Sequence, residues 1–449
     1  MRMNYKADIW WDERVNRRLV YTTIIEHVNY QKDEYPDELI IQLINKGICK
    51  LNKDKIKFIA TGILIYKNKF ITIFPKSYNL PQHERNILEH IQLLFEVLLK
   101  YREVANISAE EMDLLGGKAG EQNENIYTSY LLIQDFIDNG YLMKEIKEKS
   151  LSQSGKIDWS ATINKMQPIF SGHSVIYPEP ISRRSIIDRQ NRLYLLHKYC
   201  VYKSVEKYGW LLGMTWEQTN LDETVLDSDI RYWINFLTTE LNSTFVEREI
   251  IVIKMMIDFL SGIEEQDSDE KLETLITPFF QNVWEYICSI NFNNQYRELK
   301  SIIPKLTWEI ESNAVVQNQR PDIMVLKEKQ MYILDAKYYD IGTNLPGWPD
   351  VVKQLFYAST IFNNIKSNKY KISNGKLKKE LKRLEKVKNI FLFPSGEIDP
   401  IKYVGKVNVE NNNDFEDIVA YKVNTFLAMK CFLGKEKYNY VNQLSLKNQ

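Results

Sequence analysis

Two aspartates and a lysine near residue 330 have the types and the spacing for metal-assisted hydrolysis. The segment reads Arg320-Pro321-Asp322-Ile323-Met324-Val325-Leu326, then a polar connection Lys327-Glu328-Lys329-Gln330, then Met331-Tyr332-Ile333-Leu334-Asp335-Ala336-Lys337. Two short apolar runs around a polar connection are a hairpin signal. Pairing Leu326 with Met331 sets Asp322 directly across from Asp335, where Cβ atoms stand roughly 4.5–5.5 Å apart and like charges repel. Strand side chains alternate, so Lys337 shares the face of Asp335. Two carboxylates that need a cation, with a lysine beside them, point to a magnesium site with a water to activate. The other reading is a surface hairpin with scattered charges. Against it, Ile323, Val325, Tyr332 and Leu334 form one apolar face and Met324, Leu326, Met331 and Ile333 the other, as in a strand inside a sheet.

The neighbouring elements would position these groups. Upstream, Pro278 to Ile287 has helical apolar spacing and contains Glu285. Downstream, Val351 to Ala358 begins another helix, on which Gln354 and Tyr357 are three apart and share a face. The bland roles are a solvated glutamate and a packed tyrosine. From Lys366 to Lys388 ten Lys or Arg face only Glu380 and Glu385, a net of +8. Leu377, Leu381, Leu384 and Val387 recur at helical spacing there, which predicts an amphipathic helix with a basic outer face. Its nearness in sequence to the metal site favours phosphate contact by Lys376, Lys378, Lys379, Lys382 and Arg383 over a merely solvated face.

The 449 residues suffice for two or three domains. With 59 basic and 59 acidic residues there is no global basic field, so any nucleic-acid contact must be local. Three parts are expected. Residues 1–85 read as strand-rich after a helical opening stretch, with Ala60–Tyr66 and Phe70–Lys76 as a hairpin that exits at Pro75. Residues 86–262 read as mainly helical, as in Ile87 to Tyr101 and Leu193 to Tyr208. The acidic stretch 264–270 reads as a linker or turn. Residues 271–449 alternate helix, strands, helix and strand, with Asn389–Pro394 and Ile418–Val423 as strands and a closing helix from Asn424 to Leu433. The expected class is α/β, α+β overall, with a mixed central sheet in the last part.

Cys49, Cys200, Cys288 and Cys431 are far apart, and the five histidines form no HExxH pattern, so a structural zinc site is not expected. Gly116-Gly117-Lys118-Ala119-Gly120 lacks the spacing and the Ser/Thr of a P-loop. No signal peptide is recognised and no apolar run is long enough to span a bilayer, so the expectation is a cytoplasmic protein with no membrane partner.

Pro321-Asp322 with Asp335-Ala336-Lys337 resembles the signature of the PD-(D/E)xK nuclease core. The resemblance implies that Asp322, Asp335 and the carbonyl of Ala336 bind Mg²⁺, and that Lys337 orients or helps deprotonate the attacking water. It further implies that Glu285 joins the metal site, and that Gln354 and Tyr357 support it or touch the DNA backbone. Gly155 to Ile163 and the turn Phe74-Pro75-Lys76-Ser77-Tyr78 are similar to segments of LlaJI-type restriction endonucleases and, more distantly, of McrC-type subunits. With Trp284-Glu285 and Lys353-Gln354-Leu355, the similarity runs along nearly the whole chain. Gly155 to Ile163 carries only a structural expectation, a turn into a helix with Trp159 packed inward. The family implies a nuclease subunit that cuts double-stranded DNA with a separate McrB-like AAA+ GTPase, the N-terminal part docking on the motor or engaging DNA. A repair or mobile-element nuclease, or a non-catalytic DNA-binding scaffold, is the alternative within the same fold.

Overall fold

The computed structural model describes residues 8–446 except 13–16, 68, 82–83, 106, 118–124, 144, 152–155, 188–190, 214–225, 227–228, 266–271, 311–312 and 411–415. Most of the expected acidic linker, Asn68 of the first hairpin loop and Gly155 therefore lie outside the described residues. The chain forms two compact units, residues 1–116 with 269–449, and residues 117–268. This partition joins the first expected part to the third. The reason is the strand Glu273–Thr277, buried along its length, which pairs antiparallel with Thr61–Tyr66.

In the first unit, Thr61–Tyr66 and Lys69–Phe74 form the expected hairpin. It sits in a five-stranded sheet ordered Asp8–Asp12, Arg17–Ile25, Lys69–Phe74, Thr61–Tyr66, Glu273–Thr277. The opening stretch is thus strand rather than helix, and the first α-helix is Asp37–Asn45. Strand Arg17–Ile25 finds its partner across the fold, running parallel to Lys69–Phe74, a pairing that local periodicity cannot announce.

The second sheet of this unit carries the aspartates. Its order is Ile323–Lys327, Gln330–Ala336, Lys386–Ser395, Ile418–Asn424, Ile401–Val407. The first and last pairs are antiparallel and the two inner pairs parallel, giving the expected mixed sheet. The hairpin register is Leu326 with Met331, as predicted. The connection is tighter than expected: Lys327 pairs with Gln330, and Glu328 takes φ of 56° to close a two-residue turn. Met324, Met331 and Ile333 bury one face of the hairpin against Tyr357, Ile361 and Ile365 of the helix Trp348–Lys366. The closing helix Thr425–Leu433 begins at Asn424, whose side chain accepts a bond from the Leu427 N–H at 2.7 Å.

The unit 117–268 holds the helices Asn125–Asn139, Arg192–Tyr208, Ile230–Ser243 and Glu247–Glu265 around a core that includes Leu196, Trp233 and Met256. It is less helical than expected. Glu145–Leu151, Ile181–Ile187 and Lys156–Ile157 form a three-stranded sheet, and Ile169–Ser171 pairs with Ser174–Ile176. The latter turns at Gly172, with φ of 61°, a short glycine turn that longer helical periodicities overshadow in the sequence. The expected helix after Gly155 is present as Trp159–Lys165, but Trp159 is exposed. Asp158 is the buried member: it caps the helix at the Ala161 N–H and pairs with Lys149 at 2.9 Å and Arg183 at 2.5 Å.

Candidate active site

The mixed sheet ends in a cleft of about 390 Å³ that brings Asp322, Asp335, Lys337 and Glu285 together. Alternation along the strands explains the meeting. Asp322 continues the face of Met324, and Asp335 and Lys337 continue that of Ile333. The Asp322 carboxylate accepts a bond from the Ala336 N–H at 3.3 Å, which fixes it across the hairpin end. Asn294 secures the strand entry by donating to the Asp322 carbonyl at 2.8 Å and accepting from the Met324 N–H at 3.0 Å. Glu285 comes from the helix Phe280–Asn291, which is anchored by the fully buried Trp284.

Asp335, 4% exposed, is held by Lys337 at 2.6 Å and approached by Lys353 at 3.7 Å. Lys337 also bonds Asp350 at 2.6 Å. Burial works against the Lys337 charge, but the bonds to Asp335 and Asp350 outweigh it and hold its pKa above the ordinary lysine value. In this arrangement Lys337 is a fixed cation, suited to orienting a water rather than taking its proton. Asp322 is pushed up to about 7 by burial, then by the charges of Asp335 and Glu285. Glu285 is raised by burial and by Asp335.

These shifts have a consequence for stability. A carboxylate whose folded pKa lies above its unfolded value binds more protons in the folded state, so the folded state loses stability as pH rises. Asp322 therefore costs nothing below about pH 4, and its full penalty is felt above its folded value near 7. In EDTA, Asp322→Asn is expected to raise the melting temperature at pH 8, by about 1.5 °C per kcal/mol relieved in a unit of this size, and to change nothing at pH 4. Melting curves at both pH values check this, and an unchanged or lower value at pH 8 contradicts the facing geometry.

The sequence reading missed four groups at this site. Asp350 and Lys353 come from the first turns of the helix Trp348–Lys366, whose N-terminus abuts the strand end. Arg320, exposed, is close enough to Glu285 to act on its charge. The fourth, Lys76, comes from the N-terminal sheet and lines the cleft. It was legible only as part of the Phe74-Pro75-Lys76 block. Its ammonium stands 4.1 Å from the Tyr338 ring, and its backbone N–H bonds the Tyr338 hydroxyl at 3.2 Å. Tyr338 in turn donates to Glu26 at 2.5 Å, and Thr61 donates to the same carboxylate at 3.0 Å. Burial alone would raise the pKa of Glu26, but its bonds to His27 and Tyr338 prevail and lower it, so it stays ionised. Residues just after Lys76 pack closely on Gly396, where an added Cβ would lie 2.7 Å from the Asn79 Cβ.

Other candidates are placed elsewhere. Gln354 is 1% exposed and Tyr357 8% exposed, both on the inner face of their helix and neither lining the cleft. The Tyr357 hydroxyl meets the Arg320 backbone, so it packs behind the Asp322 approach rather than facing a ligand. The basic helix is shorter than expected, Gly375–Lys382, because Lys386 already begins a strand. Leu377, Leu381, Leu384 and Val387 are buried, and Lys376, Lys378, Lys379, Lys382 and Arg383 are exposed, as the pattern predicts. It leads into the end of its strand that pairs with Gln330, however, whereas Asp335, with Asp322 facing it, sits at the other end, next to Ala336. Seven strand residues separate the two ends, about 20 Å at 3.3 Å per residue.

The donors at the cleft are of the kind magnesium takes: the carboxylates of Glu285, Asp322 and Asp335, with Ala336 beside them, although Lys76, Lys337 and Lys353 match their charge. Among the described residues, however, no group of three His, Cys, Asp or Glu is preformed to hold a metal by itself, so waters would have to fill the ligand set.

The chain is 26% identical over 456 residues to the type II restriction enzyme BsuMI component YdjA of Bacillus subtilis, covering 93% of this chain and 92% of that one. A Thermococcus gammatolerans assembly of McrB AAA+ hexamers with bound McrC overlays on 93% of the chain at 14% identity, loosely, with a TM-score of 0.41. The family model for the LlaJI restriction endonuclease matches residues 60–427, a span that holds both the Lys76 turn and the complete aspartate hairpin, and the chain belongs to that family.

Proposed function

We propose that this nuclease is the DNA-cutting subunit of a restriction system, hydrolysing phosphodiester bonds with Mg²⁺ at the Asp322–Asp335–Lys337 cleft. The observation that carries this reading is the meeting of both carboxylates and the lysine in one cleft of a restriction endonuclease family member. Asp322, Asp335 and the Ala336 carbonyl would hold the ion, with Glu285 acting through water. When bound, the ion would stabilise charge on the phosphate and acidify a water. Lys337, fixed between Asp335 and Asp350, orients that water. Lys76 and Lys353 place two more cations at the cleft, where negative charge grows in the transition state. Tyr357 packs in the core and meets the Arg320 backbone, which holds the Arg320–Asp322 segment from behind, while Gln354 is buried on the same helix.

The relative is named as a component of a restriction enzyme, which supports a chain that works with others. A McrB-like AAA+ GTPase is the proposed partner, since this sequence has no P-loop lysine motif of its own. Among the described residues no helix is long and apolar enough to cross a membrane, and the proposed setting is the cytoplasm, where foreign DNA arrives. With partner components present, Mg²⁺ is expected to support cleavage of duplex DNA and EDTA to abolish it. Cleavage that persists in EDTA would remove the metal from this reading.

A further inference from the structure

A second cavity in the same unit, about 750 Å³, opens at the base of the hairpin formed by Lys305–Ile310 and Asn313–Asn318. Lys300, Lys305, Lys369 and Lys371 line it, and all four are exposed. Among the described residues none of them meets a carboxylate. Some exposed lysines of this unit are neutralised locally, as in Lys329–Glu385, Lys402–Glu397 and Lys406–Asp417, whereas these four share one groove without such a partner. Uncompensated cations repel one another, so clustering four around one groove costs free energy unless an anion enters. The wall also holds Tyr370, 9% exposed, whose hydroxyl has no partner among the described residues, and Gln319, whose side-chain oxygen has none either.

We infer that this groove binds the sugar–phosphate backbone of duplex DNA leading away from the cleavage site. The inference rests on the nuclease reading above and gives the substrate its path. Gln319 lines the groove and Asp322 lines the cleft. Three residue steps span at most about 11 Å, so one strand of DNA reaches both. A duplex carries one charge per roughly 1.7 Å of axis, enough to meet all four ammonium groups. Lysines are point charges on flexible stems, which suits a repeating polyanion without base readout. Two of the four, Lys369 and Lys371, belong to the basic run seen in the sequence. The segment before the helix, more than the helix itself, thus borders the path.

The test is a salt titration of 30-bp duplex binding by the full chain, with Ca²⁺ in place of Mg²⁺ to prevent cutting. It compares wild type, the variant with Lys300, Lys305, Lys369 and Lys371 all changed to Gln, and one with Lys376, Lys378, Lys379, Lys382 and Arg383 changed to Gln. The groove variant is expected to flatten the slope of log affinity on log salt by about 0.9 for each phosphate no longer neutralised, roughly 2–4 in all. The weakening should be equal for unrelated sequences, with an unchanged melting temperature. A groove variant with the wild-type slope overturns the inference, most plainly if the helix variant shows the flatter slope instead. If wild type binds no duplex even with partner components present, the nuclease reading fails too; duplex binding by wild type with an unchanged slope in the groove variant fails the groove alone, so the two failures are distinguishable.

Discussion

Asp335→Asn is expected to abolish Mg²⁺-dependent cleavage, lowering the single-turnover rate about 10³-fold or more while the protein stays folded. Asp335 is the most connected group at the cleft, 4% exposed, paired with Lys337 and Lys353 and facing Asp322. Asparagine keeps its shape but loses the charge that would hold a cation, and stabilisation of transition-state charge is commonly the largest catalytic contribution. The fold should survive, because Lys337 retains Asp350 and the repulsion of Asp322 falls. Lys337→Ala should lose activity comparably by leaving the water unoriented. The measurements are single-turnover cleavage with partner components present and a thermal melt. Substantial cutting by purified Asp335→Asn would sink the assignment of the site.

Lys76→Met is expected to lower the cleavage rate about 10²-fold, the scale for losing one charge-stabilising group. Methionine keeps an apolar stem against the Tyr338 ring, so packing should hold and the melting temperature should move little. Lys76→Arg should recover most of the rate, because it restores a cation at the cleft. A purely structural lysine would behave otherwise, with Lys76→Met changing the melting temperature more than the rate. A Lys76→Met protein that cuts at the wild-type rate with saturating DNA would confine Lys76 to a packing role. The comparison is informative because the lysine belongs to the N-terminal sheet: a rate effect would make that sheet part of the active site, not only a docking module.

The sequence by itself determined the aspartate hairpin. Strand alternation has a period of two and the connection is short, so the types of 17 consecutive residues, Pro321 to Lys337, are enough to face Asp322 with Asp335 and add Lys337. It also determined the flanking helices, since Trp284, Ile287, Leu355 and Ile361 recur at helical spacing and are buried where that spacing puts them. Tertiary structure alone decided which other charges join the site. Lys76 reaches the cleft because a buried Glu26–Tyr338 contact, 312 residues apart in sequence, ties the N-terminal sheet to the strand end. Asp350 and Lys353 reach it because their helix starts where the strand stops. The basic helix illustrates the converse. Its amphipathic pattern was local and therefore readable, but its distance from the cleft depends on entering a parallel strand at the end opposite the carboxylates. A parallel neighbour needs a crossover that returns the chain to the starting end of the sheet, so residues that follow the strand-end Lys337 are carried a full strand length away from it.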